Sequence, residues 1–510
     1  MDILQNISFS IINLTPPWFF NLLNFSSLFW VQWLGSLAIL FLARTIYVFI
    51  KTKIRFMRLK KTSPEELELL LNQKHKPYPK FSIIVPARNE ADVVEKTVTK
   101  LTNLNYPKDR FEIIVITDEK EVLNNTEGEI TTQEVMQKTI DKLKDQEVKI
   151  YHLDVPLNFN GLFPGKMLDY EVKSTKGRAL NYAFTEMYDH FNTQTEFFAF
   201  FDTDDHPDKN CFIEIAKENL IYPYKKVFQM PIFQCRNFWK ISTFSKIIAL
   251  GQSFTHEIFL PWIMTWLPFL GGTNLFIQKD VLFSVNGFNY NSITEDLDLG
   301  ISIYLNTNNW PYFLPFASTE QTPSTMKAFL KQRHRWALGQ LEVIKNLKEM
   351  KKEKSDIGRK ARILYYKLNF YGPCEWVVFF GLTVLSVIIL LTQLLSRVVV
   401  ILGMHGVINF FSMSLLVKEL FASVFTYAGM PMLVFSLILL LHYNKYVEYK
   451  EKTWIIIKKL FKFIAETSFI IPFMVVIYPL PFFSAFFKYN IMGYYKNREL
   501  TWVKTPRTKE

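Results

Sequence analysis

The apolar residues of this 510-residue chain are gathered into charge-poor blocks at residues 28–50, 375–395, 410–442 and 464–487, on either side of a mixed stretch at 51–369. That segregation constrains the fold more than any motif. About 20 consecutive apolar residues are what an α-helix needs to cross a bilayer, whereas interleaved polar and apolar residues build a water-facing domain. With 49% hydrophobic and 16% aromatic side chains, the chain is too apolar for an ordinary soluble protein and too long for a single compact core. The sequence therefore predicts one cytoplasmic α/β domain flanked by transmembrane α-helices. The first block carries Trp33 and Arg44 and is followed by a basic run where a secretory signal would have a small-residue cleavage site. It reads as an uncleaved anchor.

The net charge of +12 is not spread evenly. Lys and Arg cluster beside the apolar blocks, at 51–61, 345–362, 445–462 and 488–509. By the positive-inside rule all four clusters, and the domain between the first two, belong in the cytoplasm. Anionic headgroups and a diphosphate ligand account for this balance, and no nucleic-acid partner is expected. The implied organisation is an anchor at 1–60, a catalytic domain at 61–345, an interfacial basic segment at 346–370, membrane segments at 371–490 and a cytoplasmic tail at 491–510. The plasma membrane is the expected location. Four full crossings would strand the basic tail outside, so the last block, with Pro472, Pro479 and Pro481, reads as re-entrant or interfacial unless the first fifty residues hold a further span. Sequons at Asn6, Asn13 and Asn24 suit an outer N-terminus. Cys211, Cys235 and Cys374 have neither paired spacing nor a His cluster beside them, and read as core thiols.

Within the mixed stretch, apolar β-branched runs at 81–85, 111–117, 148–153 and 197–201 read as strands, with helical stretches at 90–104 and 132–144 between them. Such alternation predicts a mostly parallel, Rossmann-like sheet with helices on both faces, whose ligands sit at the carboxyl ends of the strands. Asp118 and the cluster Asp202, Asp204 and Asp205 fall at such ends. Neither GxGxxG nor GxxxxGK[ST] occurs, which argues against dehydrogenase and P-loop chemistry.

Four constellations could carry chemistry. Crowded carboxylates at 202–205 repel one another unless a cation joins them, and hard oxygen ligands with room for water suit Mg²⁺ or Mn²⁺ on a diphosphate; the alternative is a polar loop at a strand end. Thr294-Glu295-Asp296 offers a general base, or else an N-cap and an acidic first helical turn. Gln332-Arg333-His334-Arg335-Trp336 offers cations for a leaving diphosphate and an indole for a sugar face, or else a basic aromatic helix resting on headgroups. Lys176-Gly177-Arg178-Ala179-Leu180-Asn181 is a helix start whose cations meet phosphate, or a solvated turn. His206 and His334 lack partners at ligand spacing.

Taken in order, Phe81 to Glu90, Asp118, Lys176 to Asn181, Asp202-Thr203-Asp204, Thr294-Glu295-Asp296 and Gln332 to Trp336 resemble glycosyltransferase family 2, most closely its membrane-bound branch of cellulose, hyaluronan and mannan synthases. The resemblance covers about residues 81–340, and Trp502-Val503-Lys504-Thr505 is similar to the tail that closes many such chains. It implies a GT-A fold and inverting hexosyl transfer from a UDP- or GDP-sugar. Pro86, Ala87 and Glu90 would lie by the nucleotide and Asp118 by the base. Asp202 and Asp204 would be the metal-binding DxD pair, with Lys176 on the donor. Asp296 would be the catalytic base, with Glu295 beside it. Gln332, Arg335 and Trp336 would hold the diphosphate and the acceptor sugar. Asp118 stands in Ile-Thr-Asp-Glu-Lys without the family's common Asp-Asp-Gly-Ser run, and Gly271-Gly272-Thr273-Asn274 resembles the acceptor-side loop loosely.

Three readings follow. The first is extension of a polysaccharide or glycan, with which QxxRW is associated. The second is the same chemistry on a lipid acceptor, favoured by the small membrane portion. The third is a non-catalytic membrane partner that keeps the fold, against which the intact motif set argues.

Overall fold

The computed structural model describes residues 40, 43–56, 60–125, 130–376, 437–447, 458–467 and 477–490. Two compact units divide the chain. One comprises Met1–Lys51, Cys374–His442 and Glu451–Phe483, the other Thr52–Pro373, Tyr443–Lys450 and Ser484–Glu510. Among the described residues no helix is long and apolar enough to cross a membrane. Most of the four apolar blocks, the sequons and the Trp502 tail lie outside the described residues. Within the first unit, Arg44 pairs with Glu375.

The second unit is built on a seven-stranded sheet in the order β3-β2-β1-β4-β7-β5-β8. Its strands are β1 (Phe81–Pro86), β2 (Phe111–Asp118), β3 (Lys149–Val155), β4 (Phe197–Phe200), β5 (Val227–Gln229), β7 (Leu275–Gln278) and β8 (Tyr312–Phe313). The first four are mutually parallel, β7 runs antiparallel to both β4 and β5, and β8 is parallel to β5. A separate parallel pair joins β6 (Ile232–Phe233) to β9 (Ser318–Thr319). The mostly parallel α/β arrangement expected from the sequence is present. The antiparallel insertion was not anticipated, because β5 and β7 are three and four residues long and 45 residues apart, too short to show a period.

The near-continuous apolar strands are explained by burial on both faces. Alternate residues feed two cores: Ile83, Val85, Ile113, Val115, Phe197 and Ala199 lie on one face, and Ile84, Ile114, Ile116, Phe198 and Phe200 on the other. The first face is covered by α1 (Val94–Thr102), α2 (Thr132–Leu143) and α4 (Cys211–Ile221). The second is covered by α3 (Lys176–Glu186) and α6 (Glu295–Thr307). Thr131 and Glu134 form a reciprocal capping box that starts α2 where the sequence places it. Phe81 stacks on Phe212 with ring centres 4.2 Å apart, fixing α4 against the sheet.

Three further helices of this unit bear on the site. α5 (Thr243–Phe254) runs into a π-turn at Thr255–Phe259. The 25-residue α7 (Met326–Met350) carries the Gln332–Trp336 motif straight through residue 345, where the sequence placed a boundary. The basic segment beyond it forms α8 (Asp356–Asn369), whose Gly358, Ala361, Leu364 and Leu368 are buried. α6 can approach the chain at Pro268 only because residue 300 is glycine: a Cβ there would lie 2.3 Å from the Pro268 carbonyl oxygen. Gly300→Ala is therefore expected to cost about 1–3 kcal/mol, read as a lowered midpoint in thermal or denaturant unfolding.

Candidate active site

Because β1, β2 and β4 are parallel and β7 is antiparallel to β4, the carboxyl ends of the first three meet the amino end of the fourth. That edge gathers Pro86 to Glu90, Asp118, Asp202 to Asp205 and Gly271 to Asn274. Thr203 Oγ1 donates to the Pro86 carbonyl at 2.9 Å, and Ala87 N–H to that of Ile116 at 2.7 Å. Glu90 is buried, and its N–H donates to Thr132 Oγ1 at 2.7 Å. Glu121 holds this turn from below: one oxygen takes the Asn89 N–H at 2.6 Å and the other the Thr132 N–H and hydroxyl.

Asp118 is almost wholly engaged by the protein. Its Oδ1 accepts from Lys120 N–H at 3.0 Å, while Oδ2 accepts from Ser174 Oγ and from Arg178 at 3.3 Å. Arg178 is fully buried and also donates to the carbonyls of Phe159 and Pro156. The sequence left Lys176–Asn181 as a helix start whose cations meet phosphate or as a solvated turn; Arg178 and Asn181 instead form a buried tie between strand β2, the 156–175 loop and the segment before α6. Asn181, also fully buried, donates to the carbonyls of Gly161 and Phe288 and accepts from Phe288 N–H.

Lys176 alone of that motif points into the edge. The Thr175 side chain caps α3 by accepting from Arg178 N–H. Lys176 Nζ then reaches Asp202 Oδ1 at 2.6 Å, the Gly272 carbonyl at 3.0 Å and Glu295 Oε1 at 3.8 Å. Burial alone would lower its pKa, but Asp202 and Glu295 overcome that and hold the ammonium above its ordinary range. The structure thus brings together Lys176, Asp202, Glu295 and Asp296 from three distant stretches of sequence.

Asp296 accepts from Leu297 N–H at 2.8 Å. Burial and then the neighbouring Glu295 charge push its carboxyl up to about 7, against the pull of that N–H and of Lys176. Thr294 occupies the N-cap position of α6 but makes no capping bond, which corrects the capping alternative. The turn is held by α7 instead. A Cβ on Gly339 would lie 2.3 Å from Thr294 Cγ2, and Glu342 accepts from Ile293 N–H at 3.1 Å.

The acidic cluster is wired to the loop before β7. Thr273 Oγ1 accepts from Asp202 N–H at 2.9 Å and donates to Asp205 Oδ2. Asp202 is the open member, and Asp204 and Asp205 are buried; Asp204 Oδ2 accepts from Gln321 N–H at 3.3 Å while Arg236 donates to the Asp204 carbonyl. Burial, reinforced by Asp204 and Asp202, pushes Asp205 up to about 7. Glu320, bound to Gln234, is likewise held well above the usual carboxylate range by burial and by Asp204, Asp205 and Asp202. This surplus of carboxylates suits a cation. Among the described residues, however, no three acidic, His or Cys side chains form a complete metal cage. Glu320 and Arg236 were missed in the sequence because each sits by a two-residue strand with no spacing signal.

On α7, Gln332, Arg335 and Trp336 are half-buried, whereas Arg333 is buried. The fold and this edge define a mixed α/β protein with a lysine-centred acidic cleft at its strand ends. The sequence profile described as glycosyl transferase family group 2 matches residues 197–486, and that of glycosyl transferase family 2 matches 82–154. The chain belongs to this family. It is 28% identical to a probable glycosyltransferase, YdaM, of Bacillus subtilis, over 60% of this chain and 64% of that one. It is 27% identical to a beta-monoglucosyldiacylglycerol synthase of Synechocystis (56% and 53% covered), and 22% identical to a probable glucomannan 4-beta-mannosyltransferase of Arabidopsis thaliana (68% and 59%). Against the first relatives the alignment spans roughly half to two thirds of their length. Among solved structures, the mannosyltransferase of Pyrobaculum calidifontis in complex with GDP-Man and Mn2+ aligns with a TM-score of 0.40 and 14% identity, covering 77% of this chain and 97% of that one.

Two substitutions test the geometry. Arg178→Met leaves Asp118 buried without its cation and is expected to destabilise the protein by about 3–5 kcal/mol in denaturant unfolding. Gly272 has φ +72°, and a Cβ there would lie 2.7 Å from Asp296 Oδ2. Gly272→Ala should displace the Asp296 carboxylate, and a fall in kcat of about 10²-fold is the result expected of a carboxylate that takes part in the reaction. A wild-type rate for this variant would mean that Asp296 is not part of the reacting centre.

Proposed function

We propose that this chain catalyses inverting transfer of a hexose from a UDP- or GDP-sugar to a hydroxyl of a glycan acceptor at a membrane, with the catalytic unit in the cytoplasm. The observation that carries the reading is the lysine bridge between the two acidic motifs: Lys176 Nζ lies 2.6 Å from Asp202 and 3.8 Å from Glu295, the neighbour of Asp296. In this scheme Asp296 accepts the acceptor hydroxyl proton as the oxygen attacks the anomeric carbon. The bond from that carbon to the diphosphate breaks on the opposite side, and the nucleoside diphosphate leaves. Lys176 and Arg335 oppose the charge that develops on the leaving group. Pro86, Ala87 and Glu90 border the nucleotide, and Asp118 would reach the base through Oδ1, since Oδ2 is taken by Ser174 and Arg178. Gln332 and Trp336 receive the acceptor side. Asp202 and Asp204 would hold Mg²⁺ or Mn²⁺, which would supply charge neutralisation on the diphosphate.

A lipid acceptor is the second reading, favoured by the relatives named beta-monoglucosyldiacylglycerol synthase. Partition of labelled product into chloroform, against a size ladder of aqueous glycan, separates the two. The basic clusters beside the apolar blocks support the membrane setting, and plasma-membrane fractionation tests it.

Asp296→Asn should reduce transfer by at least about 10²-fold with donor affinity within a few-fold, because the amide keeps shape but cannot take the proton. The sign of the pH effect follows from the raised carboxyl. Above about 7 Asp296 is ionised and able to accept a proton. Below that value kcat/KM should fall roughly tenfold per pH unit, and Asp296→Asn should lose this limb. Excess chelator should abolish turnover, restored by Mg²⁺ or Mn²⁺. Full activity in chelator with Asp204→Ala would reduce the acidic cluster to a loop.

A further inference from the structure

We infer that Arg333 is a positioning residue that sets the indole of Trp336, and that Gln252 on α5 in turn sets Arg333. The inference deepens the proposed function and rests on Trp336 facing the acceptor. Phe329, Arg333 and Trp336 are four and three residues apart on α7, so they share one helical face. Arg333 is only 3% exposed, its guanidinium carbon lying 3.9 Å above the centre of the Trp336 ring and 5.3 Å from that of Phe329. A guanidinium out of water over an indole is held by both the ring quadrupole and plane-on-plane stacking. Its Nη2 donates to Gln252 Oε1 at 2.9 Å, and Gln252 Nε2 is 2.6 Å from His256 Nε2 in the π-turn. The other ring nitrogen of His256 lies 3.3 Å from Ile232 N on β6. Burial, with Arg333 nearby, holds His256 down at about 3, so it stays neutral beside the cation. The indole is thereby tied through one guanidinium to Gln252 on α5. The two arginines of the motif have separate tasks: the half-buried Arg335 is left for ligand, and the buried Arg333 acts through its neighbour.

The test uses the full chain in native-like membranes or detergent. Arg333→Ala should raise acceptor KM or lower acceptor kcat/KM by about tenfold with donor KM unchanged, the size of a desolvated cation–π contact. Arg333→Lys should recover only part of this, because an ammonium lacks the planar fork. In a Trp336→Ala background, Arg333→Ala should add nothing, and an additive loss would overturn the inference. A second arm does not depend on activity. With 5-fluorotryptophan labelling, the signal lost in Trp336→Phe should shift or broaden in Arg333→Ala. Should that variant fail to fold, Gln252→Ala should move the same signal. An unmoved Trp336 signal in the folded variants overturns the inference. Normal transfer by Trp336→Ala would remove the acceptor reading alone, and the fluorine arm would still decide whether Arg333 holds the ring.

Discussion

A single ammonium joins the two acidic motifs of this protein. Asp202 follows β4 and Glu295–Asp296 start α6, and without a cation between them three carboxylates would repel across one cleft. Lys176 Nζ sits between them at 2.6 Å from Asp202 and 3.8 Å from Glu295. Its placement depends on the helix that carries it. Thr175 caps α3, Gly177 lets the backbone at Tyr290 approach (a Cβ would lie 3.0 Å from its Cα), and Asn181 bonds the chain at Phe288. The helix that aims the lysine therefore also aims the segment leading into Glu295 and Asp296, so attraction and geometry have a common origin.

Much of this was legible in the sequence, for identifiable reasons. Strands β1, β2 and β4 are buried on both faces and so appear as near-continuous apolar runs, and their order places Asp118 and Asp202 at one edge. Three features were not legible. β5 and β7 are too short to carry a period, and they deliver the Gly271–Asn274 loop on which Asp202, Asp205 and Lys176 all lean. Arg178 and Asn181 read as surface cations and amides of a phosphate turn, yet both are fully buried, because their partners are backbone carbonyls of a loop with no pattern of its own. Thr294 fits an N-cap by spacing, and only the close packing of Gly339 shows why its hydroxyl does not cap.

The charge pattern of the edge follows from what the fold leaves unpaired. Arg178 is consumed by Asp118 and Arg236 by the Asp204 carbonyl, so two of the nearby cations cannot also serve the cleft. Lys176 is left to face Asp202, Glu295 and Asp296. Asp205 and Asp296 respond by rising to about 7, and Glu320 rises as well. The negative charge gathered at this edge is thus only partly compensated by the cations beside it.

The contact between Gly339 and Thr294 limits how the protein can be re-engineered. Helix α7 and the 293–296 turn have no room between them, and Glu342 fastens the backbone one residue upstream at Ile293. The two therefore behave as one inheritable cassette. A chimera that imports α7 from a relative must bring the matching turn with it, or the imported helix will collide with the residues that flank Asp296.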